Sequence, residues 1–241
     1  MLKLLSIAAT ICLLQINLQA QYPALKPQSE TEANIMNYSS PHSQWAVPYT
    51  TVIIDVGHGG IDGGASDGGV LEKDINLAVA KKLYTLLSKQ GITVVMNRTG
   101  DYALSEDNRW SNGRSRHGKD LSHRRQLTEE IDSSLLVSLH VNASPNKSSR
   151  GPIVLHQDNG ESIMLAQFIQ NELNKQQKTA FLPREGKPFY LLKRVKIPAV
   201  IVEMGFISNS NDRQMLTDPS SQEKIAEAIA SGIGQYHWTI H

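Results

Sequence analysis

The chain has 241 residues, with 24 Lys and Arg against 23 Asp and Glu and a formal charge of +1; 40% of it is hydrophobic. This composition excludes disordered and collagenous classes. The balanced charge argues against nucleic acid as a main partner, because neutralising phosphates takes a marked excess of Lys and Arg. The single cysteine, Cys12, excludes a disulfide scaffold and cysteine-rich metal motifs, so any metal must sit mainly on His, Asp or Glu.

Lys3 precedes a mostly apolar run over residues 4–14, and a polar stretch then ends in Leu18-Gln19-Ala20. A membrane span needs about 20 apolar residues, so residues 1–20 read as an export signal, with an uncleaved membrane anchor as the alternative. Both place the domain outside the cytoplasm, secreted or tethered at its N-terminus. Residues 21–48, rich in Pro, Ser, Gln and Asn, read as a linker. Residues 49–241 read as one catalytic-sized domain.

Residues 51–56 are a short β-branched run ending at Gly57, the pattern of a buried parallel strand. Asp74 is expected to cap a helix whose apolar face is Ile75, Leu77, Ala78, Leu83, Leu86 and Leu87, with Gly91 as its stop. A strand over 92–96 follows, then a polar tract over 100–118, long enough for a functional loop. Beyond it the pattern predicts a helix over 121–131, strands over 134–140 and 153–155, a helix over 162–176, a strand over 199–203 and a helix over 222–236. The alternation implies an α/β fold: a single domain with a mainly parallel twisted sheet and helices on both faces. Ligands collect at the carboxyl ends of such strands.

Three strands end in chemistry there: Gly57-His58-Gly59-Gly60, His140-Val141-Asn142-Ala143 and Glu203-Met204-Gly205-Phe206. Seven of the 13 residues from 57 to 69 are glycine, which opens the backbone to close approach by a ligand, and Glu72 enters just beyond. A phosphate loop is excluded, since G-x-x-x-x-G-K-[ST] is absent and Asp62 stands where G-x-G-x-x-G needs its third glycine. Two His and one Glu from separate elements suit a three-donor zinc site with an open fourth position. Plainer readings stand beside this one. His58 also reads as a turn residue, His140 as a core imidazole, and Glu72 as a solvated or capping carboxylate. Glu203 ends a strand otherwise made of Ala, Val and Ile, where a carboxylate is costly unless paired or functional. His42, His117, His123, His156, His237 and His241 read as surface or packing residues, and Trp45, Trp110 and Trp238 are too scattered for a binding platform.

Taken together, IDVGHGG (54–60), Leu71-Glu72-Lys73-Asp74, SLHVNA (138–143) and PAVIVEMGFISN (198–209) resemble the zinc-dependent N-acetylmuramoyl-L-alanine amidases. Their catalytic domain carries G-H-G, E, H-x-N-A and E-x-G-F-x-S-N motifs in this order, and the resemblance spans residues 51–237. The E-K-D triplet and residues 119–124 look most like the germination-specific, spore-cortex branch. The resemblance implies zinc as cofactor, held by His58, Glu72 and His140, with Glu203 as the catalytic carboxylate. It implies peptidoglycan as substrate, lying in an open groove. The bond would be the amide between the lactyl group of N-acetylmuramic acid and L-alanine, and in the spore branch its cleavage precedes muramic δ-lactam formation. Two rivals remain at this point. A zinc carboxypeptidase usually begins its ligands H-x-x-E, but Ile61 stands three residues after His58. A non-catalytic wall-binding module would not require all four polar residues.

Overall fold

The computed structural model describes residues 50–106 and 115–240. Residues 1–49, where the export segment and linker are expected, lie outside that range. β1 (Thr50–Val56) leads into the glycine loop, which carries a small hairpin, β2 (Ser66–Asp67) and β3 (Val70–Leu71), before α1 (Glu72–Lys89). There follow β4 (Val94–Met96), α2 (Arg116–Glu130), β5 (Ser133–Asn142), β6 (Ile153–His156), α3 (Gly160–Gln177) and β7 (Arg184–Glu185). α4 (Tyr190–Arg194), β8 (Ala199–Phe206), α5 (Ser210–Thr217) and α6 (Pro219–Ile240) complete the order. One six-stranded sheet, ordered β4-β1-β5-β8-β6-β7, forms the centre of a single α/β domain. β4, β1, β5 and β8 are mutually parallel, as the alternation of apolar strands and helices predicts. β6 runs antiparallel to β8 and pairs in parallel with β7.

Because strand side chains alternate between faces, the sheet divides its residues between two cores. Val52, Ile54, Val56, Leu135, Val137, Leu139, Val200, Val202 and Met204 join the larger one, packed with residues of α1, α3 and α6. Ile53, Leu136, Ala199 and Ile201 join a smaller one with Leu191 and Leu192 of α4 and Leu121 of α2. His140 and Glu203 occupy directly paired positions of β5 and β8, in the same alternation as Leu136 and Ile201. They therefore face the thinner layer. Beyond His140 the register shifts by one residue, a local irregularity of the kind that re-aims side chains at functional ends of sheets.

The helix over 121–131 starts earlier than its apolar content suggests. Ser115 is the N-cap of α2, its hydroxyl accepting the Gly118 N–H, and the residues α2 buries are Asp120, Arg124 and Thr128. A polar inward stripe at i, i+4 and i+8 is invisible to hydrophobic periodicity. Its reason lies in β1. Asp55, 1% exposed, accepts from Asn97 Nδ2 at 2.5 Å, Ser138 Oγ at 2.5 Å and Arg124 at 3.3 Å. Arg124 also donates to Asp120 at 2.7 Å. The start of α1 differs from expectation too. Leu71 occupies its N-cap position without a side-chain hydrogen bond, and Glu72 and Asp74 lie in the first turn, where carboxylates favour the helix dipole. The short elements β2, β3, β7, α4 and α5 carry too few residues to show a period. Among the described residues no helix is long and apolar enough to cross a membrane.

Arg124→Met is expected to destabilise the fold by about 3–5 kcal/mol, because Asp55 and Asp120 are then left buried without their cation. Urea unfolding measures this, and a loss below about 1 kcal/mol would show that the network contributes little.

Candidate metal centre and active site

His58 follows β1 directly and has φ +61°, a left-handed conformation uncommon outside glycine. Its backbone is held there: the carbonyl oxygen accepts from Arg124 at 3.2 Å. The ring is held too, with Nδ1 at 2.9 Å from Asp62 Oδ2 and Nε2 at 3.2 Å from Glu72 Oε1. Glu72, the first residue of α1, is 3% exposed. Its Oε1 also lies 2.8 Å from His140 Nδ1 and accepts the Val141 N–H at 3.0 Å, while Oε2 accepts the Ala65 N–H at 2.8 Å. The rings of His58 and His140 meet edge to face with centroids 5.0 Å apart. One donor atom from each of His58, Glu72 and His140 lies within 4.8 Å of the others, and no further cluster of this kind occurs among the described residues. Glu203 reaches the same end of the sheet from β8, 8% exposed, and its Oε2 is buried without a hydrogen-bond partner.

Charge follows from these contacts. Burial alone would raise the Glu72 carboxyl, but hydrogen bonds from His140 and His58 outweigh it and hold the group below the usual carboxylate range. Burial also works against a charged His58, yet Glu72 and Asp62 overcome it and raise the imidazole. Glu203 shows the opposite balance: burial pushes it up to about 7, against the pull of His140. A cation held between the two imidazoles would draw that value down again. The two glutamates thus sit in contrasting environments, one saturated with donors and one with an unused oxygen.

The four residues form the floor of an open groove of about 500 Å³. Leu121, Phe189, Tyr190 and Leu191 line its walls together with His117, which the sequence offers only as a surface residue. Sequence reasoning also passes over the side chains that pin the glycine loop. Arg98, 1% exposed, donates to the carbonyls of Val56, Gly57, Lys73 and Gly100 at 2.9–3.2 Å. Lys73 bridges the Gly60 carbonyl and Asp101 at 2.7 and 2.8 Å. The available signal was the cluster Asn97-Arg98-Thr99-Gly100-Asp101 placed just after a strand. Asp62 was visible only as a break in a glycine pattern.

The site tolerates no side chain at two of its glycines. A Cβ at Gly57 would lie 2.5 Å from His140 Cε1, and one at Gly64 would lie 2.6 Å from both Glu72 Oε2 and His58 Cδ2. Gly64 also has φ +68°. Gly64→Ala is therefore expected to cost about 1 kcal/mol or more of stability from backbone strain and to weaken divalent-metal binding by displacing two donor side chains. Chemical denaturation and metal titration of the variant check both effects; unchanged metal affinity would contradict the tight packing.

Comparison with known proteins gives the family. The family model described as N-acetylmuramoyl-L-alanine amidase matches residues 52–235. The germination-specific N-acetylmuramoyl-L-alanine amidase of Bacillus subtilis (strain 168) is 34% identical over 196 residues, covering 80% of this chain and 82% of that protein. Among solved structures, the CwlD amidase from Clostridioides difficile, in complex with the GerS lipoprotein, superposes with a TM-score of 0.74 at 34% identity, over 79% of this chain and 99% of that one. The amidase AmiC2 of Nostoc punctiforme gives 0.68 at 30% identity, over 79% and 98%. With matching motifs, fold and sequence over most of its length, the chain belongs to the N-acetylmuramoyl-L-alanine amidase family and is a peptidoglycan amidase.

Proposed function

We propose that this amidase uses one zinc ion held by His58, Glu72 and His140, with Glu203 as its acid–base residue, and that it acts outside the cytoplasm on spore-cortex peptidoglycan. The observation that carries the metal reading is the convergence of two imidazoles and a carboxylate within 4.8 Å, beside a carboxylate oxygen with no partner of its own. The donor set fits zinc in a catalytic site, where three protein ligands leave one position open. Such a site supplies a coordinated water with its pKa lowered toward about 7 and polarisation of a carbonyl.

The protein's own groups do the rest. Glu203 Oε2, unpartnered and buried, takes a proton from the attacking water and returns it to the nitrogen of the departing L-alanine. The imidazoles of His140 and His58 favour an ionised Glu72 and the backbone N–H groups of Val141 and Ala65 hold it in place, so it does not compete with Glu203 for that proton. The open groove suits a polymer that enters and leaves sideways, with apolar walls at Leu121, Phe189 and Leu191 to orient it. The cortex assignment is supported by the Bacillus subtilis germination-specific relative, 82% of which this chain covers. Export is supported by the apolar segment over residues 4–14, which serves as a cleaved signal or a membrane tether.

The test is to incubate the purified protein with spore and vegetative peptidoglycan and identify the fragments by mass spectrometry. Stem peptides with a new amino-terminal L-alanine are expected, most abundantly from cortex. Release of a single carboxy-terminal residue would point to a carboxypeptidase instead, and full activity in rigorously metal-free protein would remove zinc from the reading.

Glu203→Gln is expected to retain zinc and lose turnover by about 10²–10⁴-fold, the usual worth of general acid–base catalysis. Glu72→Gln is expected to weaken zinc binding instead, because a charged donor is lost. Zinc content and amide cleavage measured in both variants decide the assignment; the reverse pattern would exchange the roles of the two glutamates. A chain beginning at Tyr49 is expected to fold and bind zinc, since the residues before it carry no periodicity. An insoluble product would show that they contribute to the fold.

A further inference from the structure

We infer that Asp62 is a positioning residue of the metal centre, its carboxylate fixing the His58 ring so that Nε2 presents a lone pair to the cation. This rests on the metal-site reading above. A neutral imidazole carries one N–H and one lone pair, and an ionised carboxylate only accepts. Nδ1 lies 2.9 Å from Asp62 Oδ2, so when Nε2 faces a cation the one proton of the neutral ring is on Nδ1 and Asp62 accepts it. Nε2 lies 3.2 Å from Glu72 Oε1; it donates there while no cation is bound and turns its lone pair to a cation held among the three donors. Asp62 is itself immobilised. Its Oδ1 accepts the Gly64 N–H at 3.1 Å, and its backbone exchanges two hydrogen bonds with Gly59 at 3.0 and 3.1 Å. The closed turn 59–62 thereby delivers the carboxylate to the ring that precedes it.

His58 needs this buttress because its backbone is in a sparsely populated region at φ +61°, with one rim of the loop open to solvent. Arg124 holds the carbonyl from below at 3.2 Å, and Asp62 holds the ring from the side. The Asp62 side chain is 45% exposed, so its removal leaves no buried charge behind. Its role is therefore separable from folding. Carboxylates behind a ligating His typically contribute about 10–100-fold to metal affinity.

The experiment uses the full chain, stripped of metal, and compares the parent with Asp62→Ala and Asp62→Asn. Zinc affinity is measured by competition with a chromophoric chelator, and the His58 tautomer by the ¹⁵N shifts of its ring at a pH high enough to leave the ring neutral. Asp62→Ala is expected to bind zinc about 10–100-fold more weakly, to lose its preference for the Nδ1–H tautomer, and to unfold at the same denaturant concentration as the metal-free parent. Asp62→Asn keeps an acceptor without the charge, so its affinity is expected to lie between the two. Zinc affinity within about twofold of the parent in Asp62→Ala would overturn the inference, as would a loss that Asp62→Asn does not partly rescue. Should Asp62→Ala fail to fold, Asp62→Asn decides alone: weaker binding with a shifted tautomer supports the role, and parent-like values overturn it. A parent chain that binds no zinc would sink the metal-site reading itself, a different result from a parent that binds and variants that do not change.

Discussion

One buried carboxylate organises the active end of this molecule. Glu72 receives two imidazoles and two backbone N–H groups, and these partners come from the end of β1, from β5 and from the glycine loop. A charge 3% exposed is tolerable only when its lone pairs are occupied. The requirement to satisfy Glu72 therefore ties α1, the loop and β5 into one geometry. Each partner offsets part of that charge, so electrostatics sets how the loop, β5 and α1 meet.

Below that carboxylate lies a second polar layer that supports the backbone. Asp55, Arg124 and Asp120 form a buried chain from β1 to α2, and Arg98 gathers four carbonyls around the loop. A loop so rich in glycine has large conformational entropy to lose. Here its carbonyls are gathered by guanidinium groups, whose planar fork reaches several acceptors with one side chain. The same arrangement explains why the groove opens on this side. The smaller core is covered by the five-residue α4 and by α2 with its polar stripe, so the floor formed by His140 and Glu203 remains reachable by a polymer. The other face, sealed by α1, α3 and α6, supplies the larger apolar core.

Elements were legible wherever burial left a period. The strands at 51–56, 134–140 and 199–203 are apolar runs because the sheet buries both their faces, and they were readable for that reason. α1 was readable from Ile75, Leu83 and Leu87, although Val79 and Ala80 are buried while Leu77 and Leu86 are only partly so. α2 was misplaced at its start because Asp120 and Arg124 face inward to meet Asp55, a partner 69 residues from Arg124 in sequence. No local pattern encodes that contact. Asp62 was equally hidden, since a carboxylate four residues after a histidine in a loop has no meaning until the turn 59–62 closes.

The sequence by itself determined the fold class, the family and the four residues that meet at the sheet's end, because strand-terminal motifs and apolar spacing are local properties. Only the tertiary structure decided how those residues are solvated and hydrogen-bonded. Glu72 and Glu203 are the same side chain read from the same chain. One is wrapped in donors and held ionised, while the other is buried with a free oxygen and pushed up to about 7. That distinction comes from the register of β5 against β8 and from a loop folding back on α1, and solvation and hydrogen bonding, which set a carboxyl group's chemistry, are properties of the assembled site.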